Sequence, residues 1–298
     1  MKIQVSLLKK VSWLLLASLV TNFTIYAQKL EDDELDLLLD ELFFSEQSLI
    51  EDILDSFIVS NSIYANVSYN SNTYFAGRDT GVDQYNIIPQ ISYYSPSGFN
   101  VSVSGLYYET YSPNWDFTTV SLAYYNTIGK KELLNYSLGY TRFFYSDGYD
   151  AMANSIDFST GLRNKSRTLG TNISASYAFG TDQSLQFVSN SYGKLYLVKR
   201  SNYSLKLRPE INFMVLNQSI TSARIVMVNG QPTIQSLNKD IFDLVNTQIN
   251  IPLSLSTKSW DFEVGYSINF PNAVVVDRKI DPTSFLNLSI GYLIDLNK

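Results

Sequence analysis

Trp260-Asp261-Phe262-Glu263-Val264-Gly265-Tyr266-Ser267-Ile268-Asn269-Phe270 decides the fold. Every second residue is apolar, and the residues between are acidic, small or amide-bearing. This is the period-two signature of a strand with one greasy face. The alternation returns at Leu286, Leu288, Ile290, Tyr292 and Ile294, and about a dozen times in all, in runs long enough to cross a bilayer. Hydrocarbon leaves an unpaired backbone N–H or C=O without any partner, so only helices and closed barrels span it. The pattern therefore predicts an all-β transmembrane barrel.

Working outward, twelve antiparallel up-and-down strands are expected near 62–75, 84–94, 99–108, 116–127, 133–145, 154–163, 168–179, 194–199, 203–216, 241–255, 260–270 and 284–296, the eighth starting either at Lys194 or nearer Leu185. The connections between them alternate in length. Those at 76–83, 109–115, 146–153, 180–193, 217–240 and 271–283 are long. Those at Ser95-Pro96-Ser97-Gly98, Ile128-Gly129-Lys130-Lys131, Asn164-Lys165-Ser166-Arg167, Arg200-Ser201-Asn202 and Ser256-Thr257-Lys258-Ser259 are tight. Long outer loops and short inner turns are the habit of a barrel with both termini on the inner side. A soluble β-sandwich also alternates. The 22 tyrosines and 17 phenylalanines, many near strand ends as in Tyr93-Tyr94 and Phe143-Phe144-Tyr145, suit interfacial girdles instead. The fifth long connection carries Val228-Asn229-Gly230-Gln231, a hairpin turn that predicts a ribbon. If that ribbon enters the membrane, the alternative is fourteen strands.

Residues 1–27 place Lys2, Lys9 and Lys10 before an apolar run over 11–20 and end on the small residue Ala27. The run is too short for a span, so it is expected to be a cleaved secretory signal. Residues 28–59 form a separate leader and 60–298 the barrel. Residues 30–57 carry eleven acids and no base, while beyond them the chain holds 18 basic and 17 acidic residues, so the net charge of −6 is local.

In that leader Leu35, Leu38, Leu39, Leu42, Leu49, Ile50, Ile53, Leu54 and Phe57 return at helical spacing. It is expected to be an acidic amphipathic helix on the periplasmic side or in the lumen, with Asp36, Leu39, Leu42, Phe43, Ile50 and Leu54 as docking residues. Interfacial helices carry Lys and Arg toward anionic lipid, so a protein surface suits it better. The tight turns offer one: Lys130, Lys131, Arg163, Lys165, Arg167, Lys199, Arg200 and Lys258 form a basic rim against the lone acid Glu132. Docking there and gating the lumen is one reading, recruitment of a periplasmic protein through the apolar face a second, and a disordered acidic spacer a third.

If the apolar positions face lipid, Asn66, Ser68, Asn70, Ser102, Ser104, Asn172, Ser174, Ser176, Asn246, Gln248 and Asn250 line the lumen. Such a small polar wall can be wetted. Asp157, Lys206, Arg208, Glu210, Asp261 and Glu263 are the charged inward positions. They either set ion preference at a constriction or pair with one another and brace the barrel.

The chain has no histidine and no cysteine. It therefore lacks the usual general base near neutral pH, the commonest metal ligand, disulfides and a lipid-modified cysteine. No phosphate-binding loop, metal cluster or basic tract is present, so neither cofactor nor nucleic acid is expected.

With its signal, alternating segments and final strand bearing Tyr292, the chain resembles outer-membrane β-barrel proteins of Gram-negative bacteria. The Asn- and Tyr-rich style and Tyr26-Ala27-Gln28 look like the Bacteroidetes versions. Its terminal Lys298 departs from the aromatic residue that ends many proteobacterial barrels. Outer-membrane enzymes of this resemblance use histidine, so the implied role is non-enzymatic, with a carboxylate-only or Ser/Lys site as the alternative. The expectation is a passive or facilitated channel for small polar solutes, embedded in outer-membrane lipid and gated by the leader helix. The alternative is a non-conducting scaffold whose helix and loops bind partner proteins.

Overall fold

Twelve antiparallel strands hydrogen-bond in chain order, and the last pairs with the first. The computed structural model describes residues 60–79, 81–148, 152–228, 231–272 and 280–296, and only the backbone over 218–241. The signal and leader, including Asp36, Leu39, Leu42, Phe43, Ile50 and Leu54, lie outside the described residues.

The strands are β1 (Ser62–Asn70), β2 (Asn86–Tyr94), β3 (Phe99–Tyr108), β4 (Trp115–Ile128), β5 (Leu134–Tyr145), β6 (Asn154–Arg163) and β7 (Leu169–Phe179). They continue with β8 (Gln183–Gly193, then Leu195–Lys199), β9 (Tyr203–Leu207, then Glu210–Val228), β10 (Gln231–Asn250, then Leu253–Thr257), β11 (Trp260–Pro271) and β12 (Thr283–Asp295). The interruptions in β9 and β10 coincide with Pro209 and Pro252, which have no N–H to give the ladder. Their carbonyls still accept, from Gly193 N at 3.0 Å and Arg208 N at 3.0 Å, so the wall is continuous.

The eighth strand begins at Gln183, as the earlier of its two expected starts required, which shrinks the connection before it to residues 180–182. The ribbon is present: β9 and β10 pair from Glu210↔Asn250 out to Val228↔Gln231. It is an extension of two existing strands and adds none to the ring, so the count is twelve and not fourteen. β1 stops at Asn70 rather than residue 75, because the chain there leaves the wall and turns into the barrel mouth.

The burial pattern is inside out. Ile91 is 60% exposed and Ser92 1%; Leu138 and Ile173 face outward while Ser104, Thr119 and Ser174 are buried. A surface that greasy is stable only against lipid. The aromatic pairs divide between the two environments, with Tyr93 and Phe144 outside and Tyr94 and Phe143 inside. Trp260 and Tyr292 meet on the outer surface with centroids 4.6 Å apart, at the tight-turn end.

Leu122 lies mid-strand on the lipid face of β4. Leu122→Arg is expected to destabilise the folded barrel by about 2–4 kcal/mol, read as a lowered urea midpoint in lipid vesicles. Ser121→Asn, facing inward, is expected to leave the midpoint nearly unchanged.

Candidate functional site in the lumen

Period-two geometry turns the polar residues of every strand inward, and there they find one another. On one side hydroxyls pair between adjacent strands: Ser104 with Thr119 at 2.6 Å, Ser121 with Thr141 at 2.9 Å and Ser137 with Ser159 at 2.7 Å. On the other side runs a carboxamide ladder. Asn190 donates to Asn212, Asn212 to Gln248, Gln248 to Asn269, and Asn269 to the Thr283 hydroxyl, over 2.5 to 3.2 Å. The expected lining residues Asn66, Asn70, Ser102, Asn172, Ser176, Asn246 and Asn250 also point inward.

The charged candidates fall into one sector and one outlier. On β9, Lys206, Arg208 and Glu210 all face the lumen and are buried. Arg208 Nε lies 3.0 Å from Glu210 Oε1, with both side chains 3% exposed. Asn190 Nδ2 donates to the other Glu210 oxygen at 3.1 Å. Beside them the register sets Ser254 of β10 between Lys206 and Glu263 of β11, and the Ser254 hydroxyl donates to Glu263 Oε2 at 2.6 Å. Asp261 follows on β11, partly exposed and nearer the tight turns. Asp157 is apart from this sector, on β6, where it accepts from Ser155 Oγ at 2.8 Å and lies against Ser176 and Thr141.

Lys194 and Tyr192 belong to the sector although alternation from the later start of β8 does not reveal them. The Tyr192 ring takes the Arg208 guanidinium at 4.2 Å and the Lys194 ammonium at 5.0 Å, cation–π contacts that replace part of the hydration these groups lose. Starting the eighth strand at Gln183 puts Tyr192 and Lys194 on the inward register. Bases on β8 and β9 thus lie beside the acids of β9 and β11, the proximity of opposite signs that makes buried charge tolerable.

The basic rim is less free than its sequence suggests. Lys130, Lys131, Lys165, Arg200 and Lys258 are exposed on the tight turns. Arg167 pairs with Glu132 at 2.7 Å, and Lys199 Nζ sits 4.8 Å from the Tyr196 ring. Arg163 sits at the turn end but is buried. It is 5% exposed and donates from Nε to the Glu132 carbonyl at 2.8 Å, because its place on β6 gives it the inward register.

The opposite mouth is occupied. Residues 71–79 and 81–85 fold across it, with Thr73, Ala76 and Arg78 buried. Phe75 packs toward a cluster of Ile88, Leu106, Tyr108, Phe117 and Phe143 on the inner faces of β2 to β5. Burial, and Asp79 nearby, push the Tyr74 phenol up from its ordinary value, so it stays protonated and donates to the Ser284 carbonyl at 3.2 Å.

No family model matches the chain, and no curated protein matches it either. Among solved structures it is similar to the KdgM porin and to the NanC porin, each at 12% identity and a TM-score of 0.44 over 78% of this chain and 98% of the other. It is also similar to an outer membrane channel from Pseudomonas putida F1, at 11% identity and a TM-score of 0.46 over 79% of this chain and 96% of the other. These are likenesses of barrel architecture alone.

Arg208→Ala breaks a desolvated pair and is expected to cost about 3–5 kcal/mol of folding stability. Arg208→Met combined with Glu210→Leu is expected to cost much less, and urea titration of vesicle-inserted protein separates the two outcomes.

Proposed function

We propose that the chain is an outer-membrane channel for small polar solutes, of the Bacteroidetes type, with both termini in the periplasm. The observation that carries this reading is the partly exposed, polar middle of the lumen. Gln90, Ser121, Ser137, Ser159, Asn250, Asn287 and Ser289 all point inward, yet each keeps part of its surface exposed. A barrel built only as an anchor has no use for an accessible interior of hydroxyls and carboxamides, whereas a solute exchanging water for protein finds donors and acceptors at every step.

The charged sector supports bracing first. The Arg208–Glu210 pair is too buried to greet a passing ion, while Asp261 and Glu263, partly exposed, are the residues that set ion preference. The leader, residues 28–59 after removal of the 1–27 signal, acts at the periplasmic mouth. Its eleven acids complement the exposed Lys130, Lys131, Lys165, Arg200 and Lys258, and its docking there narrows the path. The absence of histidine and cysteine argues against a catalytic role.

The scaffold reading has one observation in its favour, the filled mouth at the long-loop end. In that case the ribbon and the leader present binding surfaces, and the lumen passes nothing.

Single-channel recording in planar bilayers tests these readings. The mature protein is expected to give stable conductance steps, and deletion of residues 30–57 to enlarge them. Unchanged steps on deletion remove the gating role of the leader. Asp261→Asn with Glu263→Gln is expected to move the reversal potential in a salt gradient toward anion preference; an unmoved potential assigns selectivity elsewhere.

A further inference from the structure

The first long connection is built as a strap with two different seats. Its base is pinned by Asn72, whose Oδ1 accepts from Thr73 N at 2.9 Å and Gln84 N at 3.1 Å. The Asn72 Nδ2 donates to Tyr74 OH and Asp83 Oδ1, each at 3.0 Å. Beyond this staple, Tyr74–Phe75 pairs with Arg78–Asp79 across a tight turn. Ala76 and Gly77 hold φ of 47° and 76°, the left-handed pair of a type I′ hairpin turn.

That tip reaches both sides of the barrel. Phe75 lies against the β3 side, its ring centroid 6.4 Å from those of Tyr108 and Tyr111. Gly77 lies against the β10 and β12 side, where its carbonyl accepts from Thr283 Oγ1 at 2.7 Å. Arg78 Nη2 donates to the Asn272 carbonyl at 2.7 Å. The approach at Gly77 is so close that a Cβ there would sit 2.6 Å from Asn246 Oδ1. Only glycine fits both the space and the φ.

The seat is well made on its apolar side and incompletely satisfied on its polar side. The Gln84 carboxamide and Asn246 Oδ1 are buried without a hydrogen-bond partner among the described residues. Lifting the tip would exchange its bonds to Thr283, Asn272 and Ser284 for bonds to water and return the two orphaned groups to water, leaving the contacts of Phe75 as the main loss, so the two positions are closer in free energy than a uniformly apolar plug would allow. The anchorage is a two-residue hairpin, with no strand of the wall displaced by its movement.

We propose that residues 71–85 are the gate of this channel: seated, the strap closes the long-loop mouth, and released, it opens it, with Gly77 as the positioning residue. The proposal rests on the reading of the barrel as a conductor.

A chain without native cysteine allows the strap to be locked. A Cβ at position 77 would lie 2.7 Å from Asn246 Cγ, where a cysteine sulfur at 246 would stand, close to the roughly 3 Å between a Cβ and the partner sulfur of a disulfide. Full-length mature Gly77→Cys/Asn246→Cys is recorded in planar bilayers oxidised and then with dithiothreitol. A second variant replaces residues 73–82 by a short Gly/Ser turn. Unheated gel mobility confirms that each barrel is folded.

The expected result is conductance several-fold lower in the oxidised lock, restored by reductant, and several-fold higher than wild type in the strap-shortened protein. Steps from the strap-shortened protein with silence from wild type also support the gate. Steps of wild-type size from all of them, insensitive to reductant and to strap length, overturn the gate and leave the channel reading standing. Silence from every folded barrel, the strap-shortened one included, overturns the channel reading and the gate with it.

Discussion

Pairing of β1 with β12, from Ser62↔Asp295 to Asn70↔Asn287, is the contact on which the rest depends. A bilayer offers the backbone no hydrogen bonds, so a twelve-stranded sheet is stable there only when its two edges satisfy each other. Once the ring is shut, alternation has two destinations instead of one. Leu, Ile, Val and aromatic side chains take the lipid, and everything between them is committed to a lumen.

That commitment explains the chemistry of the interior. Serine and threonine are short enough to pair across neighbouring strands, and asparagine and glutamine long enough to run a ladder across five of them. Charges enter where partners are adjacent in register, as with Arg208, Glu210 and the Lys206–Ser254–Glu263 row. The prolines at 209 and 252 sit beside this row and cost the wall two donors, yet their carbonyls keep the neighbouring strands attached.

The fold was legible because alternation is local: Trp260 to Phe270 announces a strand whatever surrounds it. The turn at residues 228–231 announced the ribbon, and the inward asparagines and serines were placed by parity alone. What parity could not supply was extent. The loss of period at Ser189 and Ser191, two small polar residues on the lipid side, disguised the first half of β8 and hid Tyr192 and Lys194 with it. Arg163 looked like a turn residue since it is the last of its strand, and one position decides whether such a side chain meets water or the lumen. The infolded segment left no periodic trace, because the polar contacts that seat its tip lie about two hundred residues away. The partners of the Asn72 staple are its own neighbours, but those of Gly77 and Arg78, namely Asn246, Thr283 and Asn272, come from the other end of the chain.

That separation also sets an order of events. The bonds from Thr283 to Gly77 and from Tyr74 to Ser284 span 206 and 210 residues, so they form only after β12 has docked on β1, at the end of assembly. A growing sheet with one edge still open therefore carries its strap without these bonds, held by Phe75 and the Asn72 staple. The fully bonded mouth is thus a mark of completion, a state the strap reaches only when the last strand has closed the ring.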